Sequence, residues 1–167
     1  DNCPNPVLIN NQTGTATLAG FHFPVGISVV VWTATDVSGN SITMEFDVLV
    51  LDEIAPDYQL STPATRYTEA TRCLYTAVGD EFDPKNLSEN CTDLDLLHIS
   101  NNYNSYRSLA YEEFPIGETT VEWTVRDFHG NETKKSIVIT VIDNDDPVIS
   151  CPTSNYVRVV DTGHDYY

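Results

Sequence analysis

Apolar and polar positions alternate with a period of two through much of this chain, the signature of half-buried strands. Across residues 119–126, Val121, Trp123 and Val125 fall on one face while Thr120, Glu122 and Thr124 fall on the other. Across residues 133–142 the apolar face carries Ile137, Ile139 and Val141. Between these runs lies Asp127-Phe128-His129-Gly130-Asn131. A glycine there accepts a positive φ, and Asp and Asn side chains bond their own backbone. The pattern predicts a β-hairpin with Trp123 on its buried face. Earlier in the chain, Val30, Trp32 and Ala34, then Phe46, Val48 and Val50, predict a second hairpin of the same kind.

The strands between the hairpins are shorter. Residues 57–61 and 66–68 read as one strand broken around Pro63, because proline cannot donate to a central ladder. Residues 73–78, 94–100 and 108–113 supply three more, and 79–90 reads as a long polar connection. Phe114 is placed to cap the core as the chain turns into its last hairpin. No helical stripe of useful length appears. Six or seven short strands with turns between them predict an all-β architecture, an immunoglobulin-like or fibronectin-III-like β-sandwich.

The two hairpins share more than their periodicity. Phe23-Pro24-x-Gly26, Trp32-Thr33-x-x-Asp36-x-x-Gly39-Asn40, Asp52 and Pro56 recur 91 residues later as Phe114-Pro115-x-Gly117, Trp123-Thr124-x-x-Asp127-x-x-Gly130-Asn131, Asp143 and Pro147. A fixed period marks a modular array. It predicts tandem repeats: the C-terminal part of one in residues 1–54, a complete one in 55–146, and the start of a third in 147–167. On this reading the chain begins and ends inside repeats of a longer protein.

Charge narrows the function classes. The chain carries 25 acidic residues against 8 Lys and Arg, a formal charge of −17. Nucleic acid needs a basic footprint, and anionic membrane surfaces also select basic residues. No apolar run approaches the ~20 residues needed to span a bilayer. Most of the acids read as a solvated, self-repelling surface.

Some are grouped. Asp52-Glu53-Ile54-Ala55-Pro56 and Asp143-Asn144-Asp145-Asp146-Pro147 mark the module joints. In a sandwich of this kind the last hairpin loop lies at the N-terminal end of its own module. Asp127 and Asn131 are therefore expected near Asp52 and Glu53. Calcium takes six to eight oxygens from such groups, so these four residues are the candidate calcium ligands, stiffening the joint by neutralising carboxylates that otherwise repel. The plainer reading is that Asp127 and Asn131 only shape the turn. The spacing is not that of an EF-hand.

Catalysis has little support. Asp80, Glu81, Asp83, Asp93 and Asp95 could supply a carboxylate pair, but they sit in polar stretches where solvated acids are the rule. No Gly-x-Ser-x-Gly, His-Glu-x-x-His or phosphate loop is present, and the histidines at 22, 98, 129 and 164 are scattered. Tyr103, Tyr106 and Tyr111, interleaved with Asn101, Asn102 and Asn104, suit sugar or protein contact or simply form an edge strand and its loop. Cys73 and Cys91 are 18 residues apart; spacing alone does not decide whether they bridge. A bridge there would add roughly 3 kcal/mol and point to an oxidising compartment.

Taken in order, the residues from Phe114-Pro115-x-Gly117 through Trp123-Thr124 and Gly130-Asn131 to Asp143-Asn144-x-x-Pro147-x-Ile149-x-Cys151-Pro152 resemble the hyalin repeat (HYR) family. Cys73-x-Tyr75 through Glu81-Phe82-Asp83 to Asn90-Cys91 resembles the form of that repeat found in large bacterial surface proteins, mostly of Bacteroidetes and including gliding-motility adhesins. The resemblance implies an extracellular, immunoglobulin-like adhesion or spacer module, not an enzyme. It also implies export by type IX secretion, with secretion or motility machinery among the partners. Family members often carry a cysteine near the module start and another after Gly-Asn; those positions hold Leu60 and Lys135 here. Their joint absence leaves Cys73–Cys91 as the expected disulfide. The expected function is thus the stalk of a long cell-surface adhesin, its partners the neighbouring repeats and a surface glycan or protein. The alternative is a glycan- or protein-binding accessory module of a secreted multidomain enzyme.

Overall fold

The computed structural model describes residues 6–151 together with 162 and 163. Within them the regular structure is almost entirely strand. The first sheet is antiparallel, in the order β1 (Val7–Asn10), β2 (Gly26–Thr35), β3 (Ser41–Val50). The rest of the chain contributes β4 (Asp57–Gln59), β5 (Ala64–Tyr67), β6 (Leu74–Thr76), β7 (Lys85–Ser88), β8 (His98–Asn101), β9 (Glu113–Pro115), β10 (Gly117–Arg126) and β11 (Glu132–Ile142). These form a four-stranded sheet in the order β5-β11-β10-β8 and two ribbons, β4-β7 and β6-β9. β5 runs parallel to β11; the other pairs are antiparallel.

The core lies between the four-stranded sheet and the ribbons. Val121, Trp123, Val125, Ile137, Ile139 and Val141 face inward from β10 and β11, as their alternation predicts, and Tyr58, Phe82, Leu97, Leu109 and Phe114 meet them from the other side. Phe82 and Phe114 pack edge to face at 5.6 Å, an arrangement that suits the ring quadrupoles. The Tyr58 hydroxyl donates to the Trp123 carbonyl at 2.8 Å, so the largest rings of the core are tied across the two layers.

The predicted first strand is two strands that serve different layers. β4 joins β7, and after the Pro63 break β5 joins β11. The connection at 79–90 contains β7, a strand without alternation whose Leu87 alone packs against the core. Residues 94–100 divide into a 3-10 turn, Leu94–Leu96, followed by β8. Residues 108–112 form no strand: Tyr111 has φ 67°, and the ladder with β6 starts at β9, preceded only by the bonds of Tyr111 N and the Glu112 carbonyl to Ala77. Lys135, in line with the inner-face positions of β11, sits opposite Trp123. Its ammonium reaches Asp57 Oδ1 at 2.7 Å, also contacts the Tyr58 carbonyl, and lies 4.9 Å from the Tyr58 ring centre. Where the family resemblance implies a cysteine, an ion pair and a cation–π contact tie β11 to β4.

The Cys73–Cys91 disulfide is not formed; both thiols are free and exposed. Cys73 adjoins β6 where Leu74 pairs with Pro115, at the Gly117 end of β10. Cys91 lies at the opposite end, near the 127–131 loop, where Phe128 N donates to the neighbouring Thr92 hydroxyl. Ten strand residues span about 33 Å, whereas a disulfide requires Cα atoms within ~7 Å.

The two long hairpins repeat in register. Gly26 pairs with Val50 and Thr35 with Ser41; Gly117 pairs with Val141 and Arg126 with Glu132. The side strand repeats too: Asn10 lies opposite Trp32, and Asn101 opposite Trp123. The first sheet nevertheless has no facing layer among the described residues. Phe46, expected on an inner face, is 44% exposed, while its counterpart Ile137 is 2% exposed.

Candidate functional site

The hairpin tip at 127–131 builds itself from local hydrogen bonds. Asp127 Oδ1 accepts from Gly130 N at 2.6 Å and Asn131 N at 2.9 Å, and Oδ2 accepts from Asn131 Nδ2 at 2.7 Å. Gly130 has φ 100°, and an added Cβ would stand 3.2 Å from the Arg126 guanidinium, so this position requires glycine. Burial pushes the Asp127 carboxyl up, but the Asn131 side chain and the backbone N–H groups outweigh it and hold the group below the usual carboxylate range. The earlier tip repeats the device. Asp36 accepts from Ser38 N, Asn40 N and Asn40 Nδ2, each at 2.8 Å, and the Asn40 amide is the chief cause of its lowered pKa. The Asp-x-x-Gly-Asn motif is therefore a turn-building unit in both places.

The second tip also meets the joint. Asn131 Nδ2 donates to the Asp52 carbonyl at 3.1 Å. Asp52 Oδ1 accepts from Ile54 N at 3.2 Å and from Asn90 Nδ2 at 3.4 Å. The Asp52 side chain is fully buried, with Oδ2 3.1 Å from His129 Nδ1. Asp52, Asp127 and His129 present ligand atoms that all lie within 4.8 Å of one another. Next to them, desolvation and then the charges of Asp52 and Glu89 raise the Cys91 thiol above its ordinary pKa.

Of the four expected calcium ligands, Asp52, Asp127 and Asn131 come together, as the topology argument required. Glu53 is exposed and stands outside the group. Asn131 turns its NH2 toward both aspartates, and both oxygens of Asp127 already accept hydrogen bonds. His129 takes the place expected of Glu53. Its position between Asp127 and Asn131 was visible in the sequence, but nothing local showed that Asp52 would be folded against it.

The tyrosines separate. The Tyr103 ring stacks on Phe114 at 4.9 Å and its hydroxyl donates to the Glu113 carbonyl, which makes it a lid on the core. Tyr106 and Tyr111 are 71% and 79% exposed. The interleaved asparagines are structural. Buried Asn101 accepts from Tyr103 N and Asn104 N and donates to Asn104 Oδ1 and the Tyr106 carbonyl, all at 2.8–2.9 Å. Asn10 does the same with Gln12 N, Thr13 N, Thr13 Oγ1 and the Thr15 carbonyl. This hub belongs to the 91-residue repeat: Asn10-Asn11 recurs as Asn101-Asn102, and the loop residues that follow each pair differ in identity. Of the acids considered for catalysis, Glu81 and Asp83 are engaged as well. Asp83 Oδ1 accepts from Leu109 N at 2.8 Å, and Glu81 binds Arg66, Tyr75 and Val78 N.

Together the sheets, the paired hairpins and the docked joint define an all-β protein of sandwich type whose most elaborate polar cluster sits where a linker meets a hairpin tip. The chain is similar to hyalin of Strongylocentrotus purpuratus, with 32% identity over 164 residues and 92% of the chain, and to hyalin of Lytechinus variegatus, with 29% identity over 165 residues and 92% of the chain. It spans 13% and 29% of the lengths of those two proteins. No protein-family model matches the chain.

Proposed function

We propose that the chain is a non-catalytic stretch of an extracellular, adhesion-related array of hyalin-type repeats, with 55–146 as a complete module and 7–50 repeating its strands β8, β10 and β11. Similarity to two hyalins over most of the chain supports this reading. The observation that carries it is the pair of hairpins in equal register, joined by a linker docked onto the second tip through Asn131 and Asp52. Direct contact limits bending at the joint, as a spacer requires. The two matches support the hyalin side of the resemblance; they do not bear on bacterial gliding motility or type IX secretion.

Pulling the chain between two handles tests the spacer role. Unfolding of 55–146 should release roughly 300 Å of contour, at up to ~3.5 Å per residue, in one cooperative event. Gradual extension without such an event would overturn the reading. The accessory-module alternative draws on the exposure of Tyr106 and Tyr111. Glycan-array binding lost in Tyr106→Ala or Tyr111→Ala would favour it. Calcium at the joint is checked by melting the chain with calcium and with chelator.

A further inference from the structure

The joint contains a carboxylate oxygen that the hydrogen-bond network leaves unserved. Asp52 Oδ2 is buried and has no hydrogen-bond partner. His129 Nδ1 is only 3.1 Å away, yet the ring N–H does not point at the oxygen well enough to bond it. A buried carboxylate oxygen without a partner is costly, and Asp127 adds a second negative group. From these observations we propose that Asp52, Asp127 and His129 form a binding site for a zinc-like divalent cation, rather than for calcium.

The donor set decides between the metals. Imidazole nitrogen suits zinc and its first-row neighbours, while calcium prefers an all-oxygen shell of six to eight ligands. Zinc binds nitrogen and carboxylate oxygen at about 2.0–2.1 Å, which puts neighbouring tetrahedral ligands about 3.3 Å apart. The Asp52–His129 separation of 3.1 Å is close to that. The widest pair lies within 4.8 Å and has to close by at most about 1.5 Å to reach that spacing. Three protein ligands leave a further position open. Bound metal would neutralise the two carboxylates and fix the linker to the tip. The 91-residue repeat supplies an internal control, because Ser38 stands where the second tip has His129. The inference concerns the joint alone and stands whether or not the array adheres.

The test is calorimetric titration of zinc chloride, and separately calcium chloride, into the full chain with Cys3, Cys73, Cys91 and Cys151 changed to serine. Zinc is expected to bind one to one, and His129→Ser to weaken it at least about tenfold, since even outer-shell losses cost 10–100-fold. Calcium is expected to bind more weakly than zinc. No zinc binding, zinc binding that survives His129→Ser unchanged, or calcium binding tighter than zinc would each overturn the proposal. Calcium binding tighter than zinc and indifferent to His129→Ser would point to an oxygen-only joint site. The pulling experiment reads the spacer role separately.

Discussion

Asn131 Nδ2 donates to the Asp52 carbonyl at 3.1 Å across 79 residues of sequence while also donating to Asp127 Oδ2 at 2.7 Å. One amide thus closes a hairpin tip and clamps the preceding linker. Asn40 makes only the first of these contacts among the hydrogen bonds of its side chain.

Asn131→Ala should therefore lower stability by about 1–2 kcal/mol in urea unfolding, the worth of two net hydrogen bonds. It should also open the 52–55 segment to protease. Asn40→Ala should leave that segment protected. Equal protection of the linker in both variants would show that the clamp does not hold the joint.

Asn101 is 6% exposed and serves four hydrogen-bonding groups. Asn101→Ala removes four hydrogen bonds made by a buried side chain and should cost about 2–3 kcal/mol. An exposed neighbour on the same edge, Tyr106→Ala, should cost under about 0.5 kcal/mol. Chemical denaturation distinguishes them, and similar midpoints would remove Asn101 from its role as hub.

Glu81 gives a pH signature. Burial raises its carboxyl, but the Val78 N–H, Tyr75 and Arg66 outweigh that and hold it below its ordinary value. A depressed folded pKa contributes stability above the unfolded value of about 4.3, and the contribution is lost as pH falls through the folded value. Glu81→Gln should accordingly destabilise the chain at pH 6 and much less at pH 3. A pH-independent difference in urea midpoint would refute the assignment.

Cys73 and Cys91, free and exposed at opposite ends of the sandwich, should both react with a thiol reagent in the native chain. Reductant should leave the melting temperature unchanged. Protection of either thiol that reductant relieves would restore the disulfide.

How much of this was legible depends on the range of the cause. The two long hairpins, the Asp-x-x-Gly-Asn tips and the inward set of Val121, Trp123, Ile137 and Ile139 follow from period-two alternation and turn chemistry. Both act within a few residues, so the sequence by itself determined them, together with the 91-residue repeat. The meeting of Asp52 with Asp127 and Asn131 was also accessible, because it follows from the order of strands in a sandwich. Tertiary structure alone decided what faces what. β7 is a strand only because β4 lies beside it; its exposed residues carry no alternation. Lys135 sits over Tyr58 rather than in solvent because β4 supplies both a carboxylate and a ring. Cys73 and Cys91, near in sequence, are held apart by the length of the sheet. His129 became part of a site only when the fold buried Asp52 against it, a juxtaposition across 77 residues that no local pattern records.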